Sequence, residues 1–232
     1  MCGIVGYVGT KNIPGRAHFA LDVVLEGLRR LEYRGYDSAG IAVLDEGKIS
    51  FRKKAGKVAA LDEVIAADPL PQAVVGIGHT RWATHGGPTD ANAHPHVVDG
   101  GKLAVVHNGI IENFAELKTE LAEKGYTFKS ETDTEVAATL LSDFMHGAGE
   151  GDLTESMRLT CNRLEGAFTL LALHTDFPDR IVAARRNSPL VIGLGEGENF
   201  LGSDVSGFID YTKNAVEMAN DQIVTITATS YD

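Results

Sequence analysis

Cys2-Gly-Ile-Val-Gly-Tyr-Val8 is a short, apolar, β-rich run that begins almost at the start of the chain, and a cysteine leads it. Cysteine is small enough for the initiator methionine to be trimmed, and Cys2 then carries a thiol and a free α-amino group on one residue. The amine has a reference pKa of about 7.7–8.0 and the thiol about 8.5, so both titrate near working pH. A positioned amine can act as the base of an N-terminal nucleophile, with no separate histidine. Taken alone, a second-position cysteine is more often an accident of sequence. Cys161 reads differently: its helical spacing with Met157 and Leu164 makes it a small core residue.

Outward from this run, the pattern switches between strand and helix. Ala17, Leu21, Val24, Leu28 and Leu31 recur at threes and fours, which predicts an amphipathic helix over 17–31. Strand-like runs follow at Ala39–Leu44, Lys48–Arg52, Val74–Thr80 and Leu103–His107. Two helices carry start signals: Asn113 with Glu116 ahead of Leu117 and Leu121, and Thr132 with Glu135 ahead of Val136, Leu140 and Phe144. A third is expected at 153–164. Further strands are expected at Ala167–Leu173, Arg180–Ala184, Leu190–Leu194, Glu198–Leu201 and Gln222–Ile226. Strands in antiparallel-looking runs with helices grouped between them favour a layered α+β fold over a βαβ repeat. Residues 84–101, THGGPTDANAHPHVVDGG, show no period, and a long irregular segment inside a domain is more often functional than idle.

Composition narrows the function. With 32 acidic against 21 basic side chains in 232 residues, the net charge of −11 argues against nucleic acid or an anionic membrane as partner. A chain this long buries roughly 70% of its unfolded surface and needs no disulfide or zinc staple. Two cysteines are in any case too few for a disulfide framework. No basic, apolar leader opens the sequence and no apolar run approaches ~18 residues. A soluble, cytoplasmic protein is expected.

Familiar signatures are excluded by reading. Gly76-Ile-Gly78 and Gly193-Leu-Gly195 follow strands, but the third glycine of a dinucleotide fingerprint falls on Arg81 and Glu198. Neither a phosphate-binding P-loop nor a serine nucleophile elbow occurs. His94-Pro-His96 could present two rings on one side of an extended segment, with His79, His85 or His107 completing a metal site. No carboxylate or cysteine sits at tight ligand spacing, however, so the expectation is no metal and no cofactor.

Several ordered motifs then reach a family. Cys2-Gly-Ile-Val-Gly6 and Arg34-Gly-Tyr-Asp-Ser-Ala-Gly40 are followed by Thr80-Arg-Trp-Ala-Thr-His-Gly86, Asn92-Ala-His-Pro-His96, His107-Asn-Gly-Ile-Ile-Glu-Asn113 and Ser130-Glu-Thr-Asp-Thr-Glu-Val136. In this order they resemble the class II glutamine amidotransferases, over nearly the whole chain. Within that family, Leu31-Glu-Tyr-Arg-Gly-Tyr-Asp37 and Ser188-Pro-Leu-Val-Ile-Gly-Leu-Gly-Glu-Gly-Glu-Asn199 are similar to the branch whose ammonia goes to fructose 6-phosphate.

The resemblance implies a four-layer αββα N-terminal-nucleophile hydrolase fold, two stacked, mostly antiparallel sheets between helix layers. It implies that Cys2 attacks the side-chain amide of L-glutamine, releases ammonia and leaves a glutamyl thioester for water. Asn108 and Gly109 would form the oxyanion hole, where neutral donors and a missing Cβ suit the task; read locally, the same pair is a type I′ hairpin turn. Arg81 would hold the α-carboxylate with a planar fork, and Asp133, in the first turn of a helix, the α-ammonium. Trp82, Thr84 and His85 would lie on a loop that closes over glutamine, with Gly86-Gly87 giving it freedom. Arg34 would support the site without touching substrate. Residues 1–226 are expected to be the glutaminase domain and 227–232 the start of a truncated linker, the sugar-phosphate isomerase domains that bind fructose 6-phosphate being absent. The segment Gly9–Phe19 is longer than the family leads one to expect. Three rivals stay open: another N-terminal-cysteine amidase, a metal-dependent hydrolase on His94 and His96, and a catalytically silent glutamine-binding module.

Overall fold

The computed structural model describes residues 2–10 and 19–232. The extra length read at Gly9–Phe19, and Ala17 of the first helix, fall largely or wholly on residues 11–18, outside the described residues. Two sheets stack face to face. One has seven strands in the order β11-β9-β10-β1-β4-β2-β3, and the other has five in the order β12-β8-β7-β6-β5. In the first lie β1 (Gly3–Gly9), β2 (Ser38–Asp45), β3 (Lys48–Ala55), β4 (Val75–Arg81), β9 (Val191–Leu194), β10 (Glu198–Gly202) and β11 (Ala215–Glu217). The second holds β5 (His96–Val98), β6 (Leu103–Ile111), β7 (Gly166–His174), β8 (Arg180–Arg186) and β12 (Gln222–Thr227). Every ladder between neighbouring strands is antiparallel.

Three cores explain the layering. Between the sheets, Ile4, Val8, Ala42 and Ile77 meet Ala104, Val106, Leu171 and Ala183. Strand side chains alternate faces, so the same strands bury a second set outward. Val5, Tyr7, Ile41 and Val43 pack under α1 (Ala20–Leu31) and α2 (Val58–Ala67). On the far side, Leu103, Val105, Leu170 and Val182 pack under α3 (Phe114–Glu123), α4 (Asp133–His146) and α5 (Leu153–Arg163). The expected αββα arrangement is therefore the one observed.

Differences from the sequence reading have local causes. Helix α2 was not expected; its first N–H, at Val58, is capped by the Glu32 carboxylate at 2.7 Å, a residue far away in sequence. Thr132 caps α4 as read, accepting from Glu135 N–H at 3.2 Å. Asn113 does not cap α3. Its side chain instead bridges to the Arg163 carbonyl and the Glu165 N–H. Asn108-Gly109 is no turn: both residues lie inside β6, paired with Thr169 and Phe168. The irregular stretch 84–101 contains one short strand, β5. Residues 227–232 fold back on β12, where Asp232 N–H and Thr225 carbonyl bond at 3.0 Å. Among the described residues no helix is long and apolar enough to cross a membrane.

Candidate active site

The site forms where strand ends of both sheets, β1 and β4 in one and β6 in the other, meet the start of α4. Gly3 pairs with Thr80, which sets Cys2, just ahead of β1, beside the chain leaving β4. Trp82 N–H donates to the Cys2 Sγ at 3.1 Å. Burial pushes the Cys2 thiol above its ordinary pKa, opposed by the Trp82 N–H and the nearby Arg81 cation. Across the sandwich, Asn108 of β6 reaches back and its Nδ2 donates to the Cys2 carbonyl at 3.0 Å. The Cys2 thiol and the Asn108 amide thus come from different sheets and meet over the interior.

Gly109 follows Asn108 with φ of +118°. A Cβ there would lie 1.9 Å from the Ala167 carbonyl oxygen of β7, so this close pairing requires glycine. Asp133 is the first residue of α4 and is buried. Its Oδ2 accepts the Ile111 N–H at 2.9 Å, which anchors the carboxylate to the end of β6. The helix N-terminus also favours an anion there.

Arg81, the last residue of β4, is buried and holds the segment after it. Its guanidinium donates to the carbonyls of His85, Gly86 (3.0 Å) and Gly87 (3.1 Å). Other long-range ties order the same stretch. Asp37 accepts Ala83 N–H at 2.9 Å, and Asn92 bridges Gly87 to Glu131, ahead of α4. Lys53 Nζ reaches the carbonyls of Ala91, Ala93 and Pro95. Burial lowers the Lys53 pKa to about 8.

Trp82 is 46% exposed and meets Tyr36 edge-on, ring centres 5.6 Å apart. It is not a core aromatic. Thr84 is exposed, and His85 rests edge-on against Phe114. Arg34 contacts Asp204 at 3.2 Å and reaches the wall of the cleft without a bond to Cys2. The cleft, of about 330 Å³, opens over Cys2, Trp82, Thr84, Asn108 and Gly109. Behind it a narrow recess runs from Cys2 to Arg81, His107 and Asp133. A larger groove of about 520 Å³ lies near Asp99, Lys129 and His146, and neither cysteine lines it.

Seven of the eight residues proposed from sequence to act on or hold the substrate surround one cleft and its recess; the eighth, His85, is turned onto Phe114. The sequence reading assigned no such place to Thr134, which lines the recess, or to His79. His79 could have been found from its place two residues before Arg81, on the same face of β4. Of the five histidines considered as metal ligands, His79, His94 and His96 pack ring to ring: His79 and His94 have ring centres 4.1 Å apart, His94 and His96 5.0 Å. Burial lowers the pKa of His79, His94, His96 and His107, so these rings are neutral packing and hydrogen-bonding groups. Among the described residues no group of three or more His, Cys, Asp or Glu side chains could hold a metal ion.

A family model described as a glutamine amidotransferase domain matches residues 79–210. A glutamine–fructose-6-phosphate aminotransferase (isomerizing) of Corynebacterium diphtheriae is 76% identical over 231 residues, and its counterpart in Corynebacterium efficiens 75% over 232. All of this chain is covered in both cases, but only 37% of either relative, so the chain spans little more than a third of their length. Among solved structures, a glutamine phosphoribosylpyrophosphate amidotransferase from B. subtilis, complexed with ADP and GMP, superposes with a TM-score of 0.81. The two are 25% identical, over 100% of this chain and 48% of that one.

Proposed function

This chain belongs to the glutamine amidotransferase family, and from that premise we propose that it hydrolyses L-glutamine to glutamate and ammonia through a thioester on Cys2. In the mature chain Cys2 is terminal. Its α-amine takes the thiol proton, and the sulfur attacks the side-chain amide carbon. The carbonyl oxygen becomes an oxyanion held by the second N–H of the Asn108 amide and the backbone N–H of Gly109. The amine, now protonated, gives its proton to the leaving nitrogen and ammonia departs. Water, deprotonated by the same amine, attacks the thioester and releases glutamate.

Substrate is held at its other end by charge. Arg81 meets the α-carboxylate and Asp133 the α-ammonium, one cation and one anion at a fixed separation. Trp82, Thr84 and His85 cover the cleft from the loop, and Arg34 steadies the cleft wall. What supports the reading is the convergence of Cys2, Asn108 and Asp133 on one cleft and the recess behind it, by bonds of 3.1, 3.0 and 2.9 Å to Trp82, Cys2 and Ile111 respectively.

We further propose that residues 1–226 are the glutaminase domain, and that its ammonia passes to fructose 6-phosphate on an isomerase region like that named for the relatives. The setting proposed is cytoplasmic. The first experiment measures ammonia release from glutamine, with intact mass recorded before and after a diazoketone analogue of glutamine. Expected are loss of Met1, one equivalent of label on Cys2 and no ammonia from Cys2→Ala. Equal activity in the variant, or full activity with Met1 retained, overturns the proposal. Inhibition by a chelator instead of by thiol alkylation would return the reading to a metal hydrolase. Acceptance of N-acetylglutamine would favour a different amidase.

A further inference from the structure

Asn108 can serve an oxyanion only if its carboxamide faces the right way. The group has two unlike ends, an oxygen that only accepts and an NH2 that only donates. Its Nδ2 donates to the Cys2 carbonyl at 3.0 Å, while its Oδ1 lies 3.0 Å from His79 Nε2. Turned over, the amide would set two oxygens against each other at Cys2. We propose that His79, which the reaction does not touch, is a positioning residue: its Nε2–H holds the Asn108 oxygen and so keeps the NH2 turned toward the nucleophile.

The tautomer follows from the partner. Because Oδ1 only accepts, Nε2 carries the proton. His79 is 1% exposed on β4, and burial followed by the neighbouring His107 lowers its pKa to about 3. The imidazole is therefore neutral at any working pH and has a single N–H to give. The His94 ring packs at 4.1 Å and restricts the plane of His79. His94 in turn accepts the His107 N–H on Nδ1 at 3.4 Å, so its Nδ1 is unprotonated and that ring too is neutral and held in place. With one Nδ2 hydrogen committed to the Cys2 carbonyl, the other is left to point at a developing oxyanion. The chain His79–Asn108–Cys2 links β4 and β6, strands of opposite sheets.

This inference rests on the oxyanion role proposed for Asn108, and the experiment separates the two. His79→Gln places an NH2 near the position of Nε2, whereas His79→Asn places one near Nδ1 and cannot reach Asn108. Asn108→Ala is measured beside them in the same full chain. The readouts are kcat and KM for glutamine, the Ki of product glutamate, and the Ki of glutamate γ-semialdehyde, whose aldehyde adds Cys2 Sγ and needs the oxyanion donors. Loss of an oxyanion donor costs about 10²–10³ in kcat, which bounds the effect from above. His79→Asn should lower kcat about 10- to 100-fold and weaken the aldehyde by a similar factor. Its KM and glutamate Ki should stay within about twofold, and His79→Gln should stay within about fivefold of the parent kcat. Equal kcat for the Gln and Asn variants overturns the positioning role, as does a His79→Asn loss shared equally by glutamate. If Asn108→Ala keeps both kcat and aldehyde affinity, the oxyanion assignment itself fails.

Discussion

Gly109→Ala tests the geometry of β6 most directly. The added Cβ would sit 1.9 Å from the Ala167 oxygen, 2.8 Å from the Ala167 carbonyl carbon and 3.0 Å from the Phe168 Cα. An ordinary C···O approach is ~3.3 Å, so the β6–β7 pairing has to open by about 1.4 Å at this rung. The backbone also stands at φ +118°, where a residue with a Cβ costs about 1–3 kcal/mol. Overpacking adds roughly 1–3 kcal/mol. A loss of about 2–6 kcal/mol in urea unfolding is expected, against a total of ~5–15 kcal/mol for a domain. A displacement on the order of 1 Å at the reacting groups costs ~10²-fold in rate, so glutamine hydrolysis should fall by at least that factor. Gly47→Ala is the control. It has φ +72° but nothing within 4 Å of the added atom, so it should lose about 1 kcal/mol and keep its activity. A Gly109→Ala protein with an unchanged urea midpoint refutes the packing argument. A destabilised variant with kcat within threefold of the parent refutes the donor role of the Gly109 N–H.

Tyr7→Phe should destabilise by about 1–3 kcal/mol in urea unfolding, because Tyr7 Oη donates to the buried Glu198 Oε2 at 2.9 Å; a change under about 0.5 kcal/mol contradicts this. The buried histidines predict acid sensitivity. Since burial depresses the pKa of His79, His94, His96 and His107 in the folded chain, the unfolded chain binds more protons below the usual histidine range. Stability should therefore fall as pH drops from 7 toward 5, by up to about 1.4 kcal/mol per pH unit for each ring. A flat unfolding free energy over that window would show that the rings are protonated in the native state.

What could be read from sequence was whatever depends on near neighbours. Thr132 sits three residues before Glu135, so the start of α4, and with it the place of Asp133, was visible in one turn of chain. The strand positions followed from alternation, and the layering from the grouping of helices. Helix α2 was missed because its cap is Glu32, supplied by another element. Asn113 kept its helix but not its capping role, because its side chain bonds the Arg163 carbonyl at the end of α5 and the Glu165 N–H beyond it. Asn108-Gly109 is ambiguous by itself, since the same dipeptide makes hairpin turns; only pairing with β7 puts it inside a strand. Period analysis failed over residues 84–101, whose order comes from Arg81, Lys53 and Asn92 bonding across long separations. The His79–Asn108 bond was hidden for the same reason: it spans two sheets.

That the sulfur proposed to attack and the amide proposed to hold the oxyanion hang from opposite leaves of the sandwich makes the filling between the leaves a spacer. Ile4, Ala42 and Ile77 on one leaf press on Ala104, Val106 and Leu171 on the other. One methylene inserted at Ala104 would act as a shim, prying the leaves apart and lengthening the gap across which the chemistry happens. Variants far from the cleft, chosen for volume alone, would thus tune turnover while the chain stays folded.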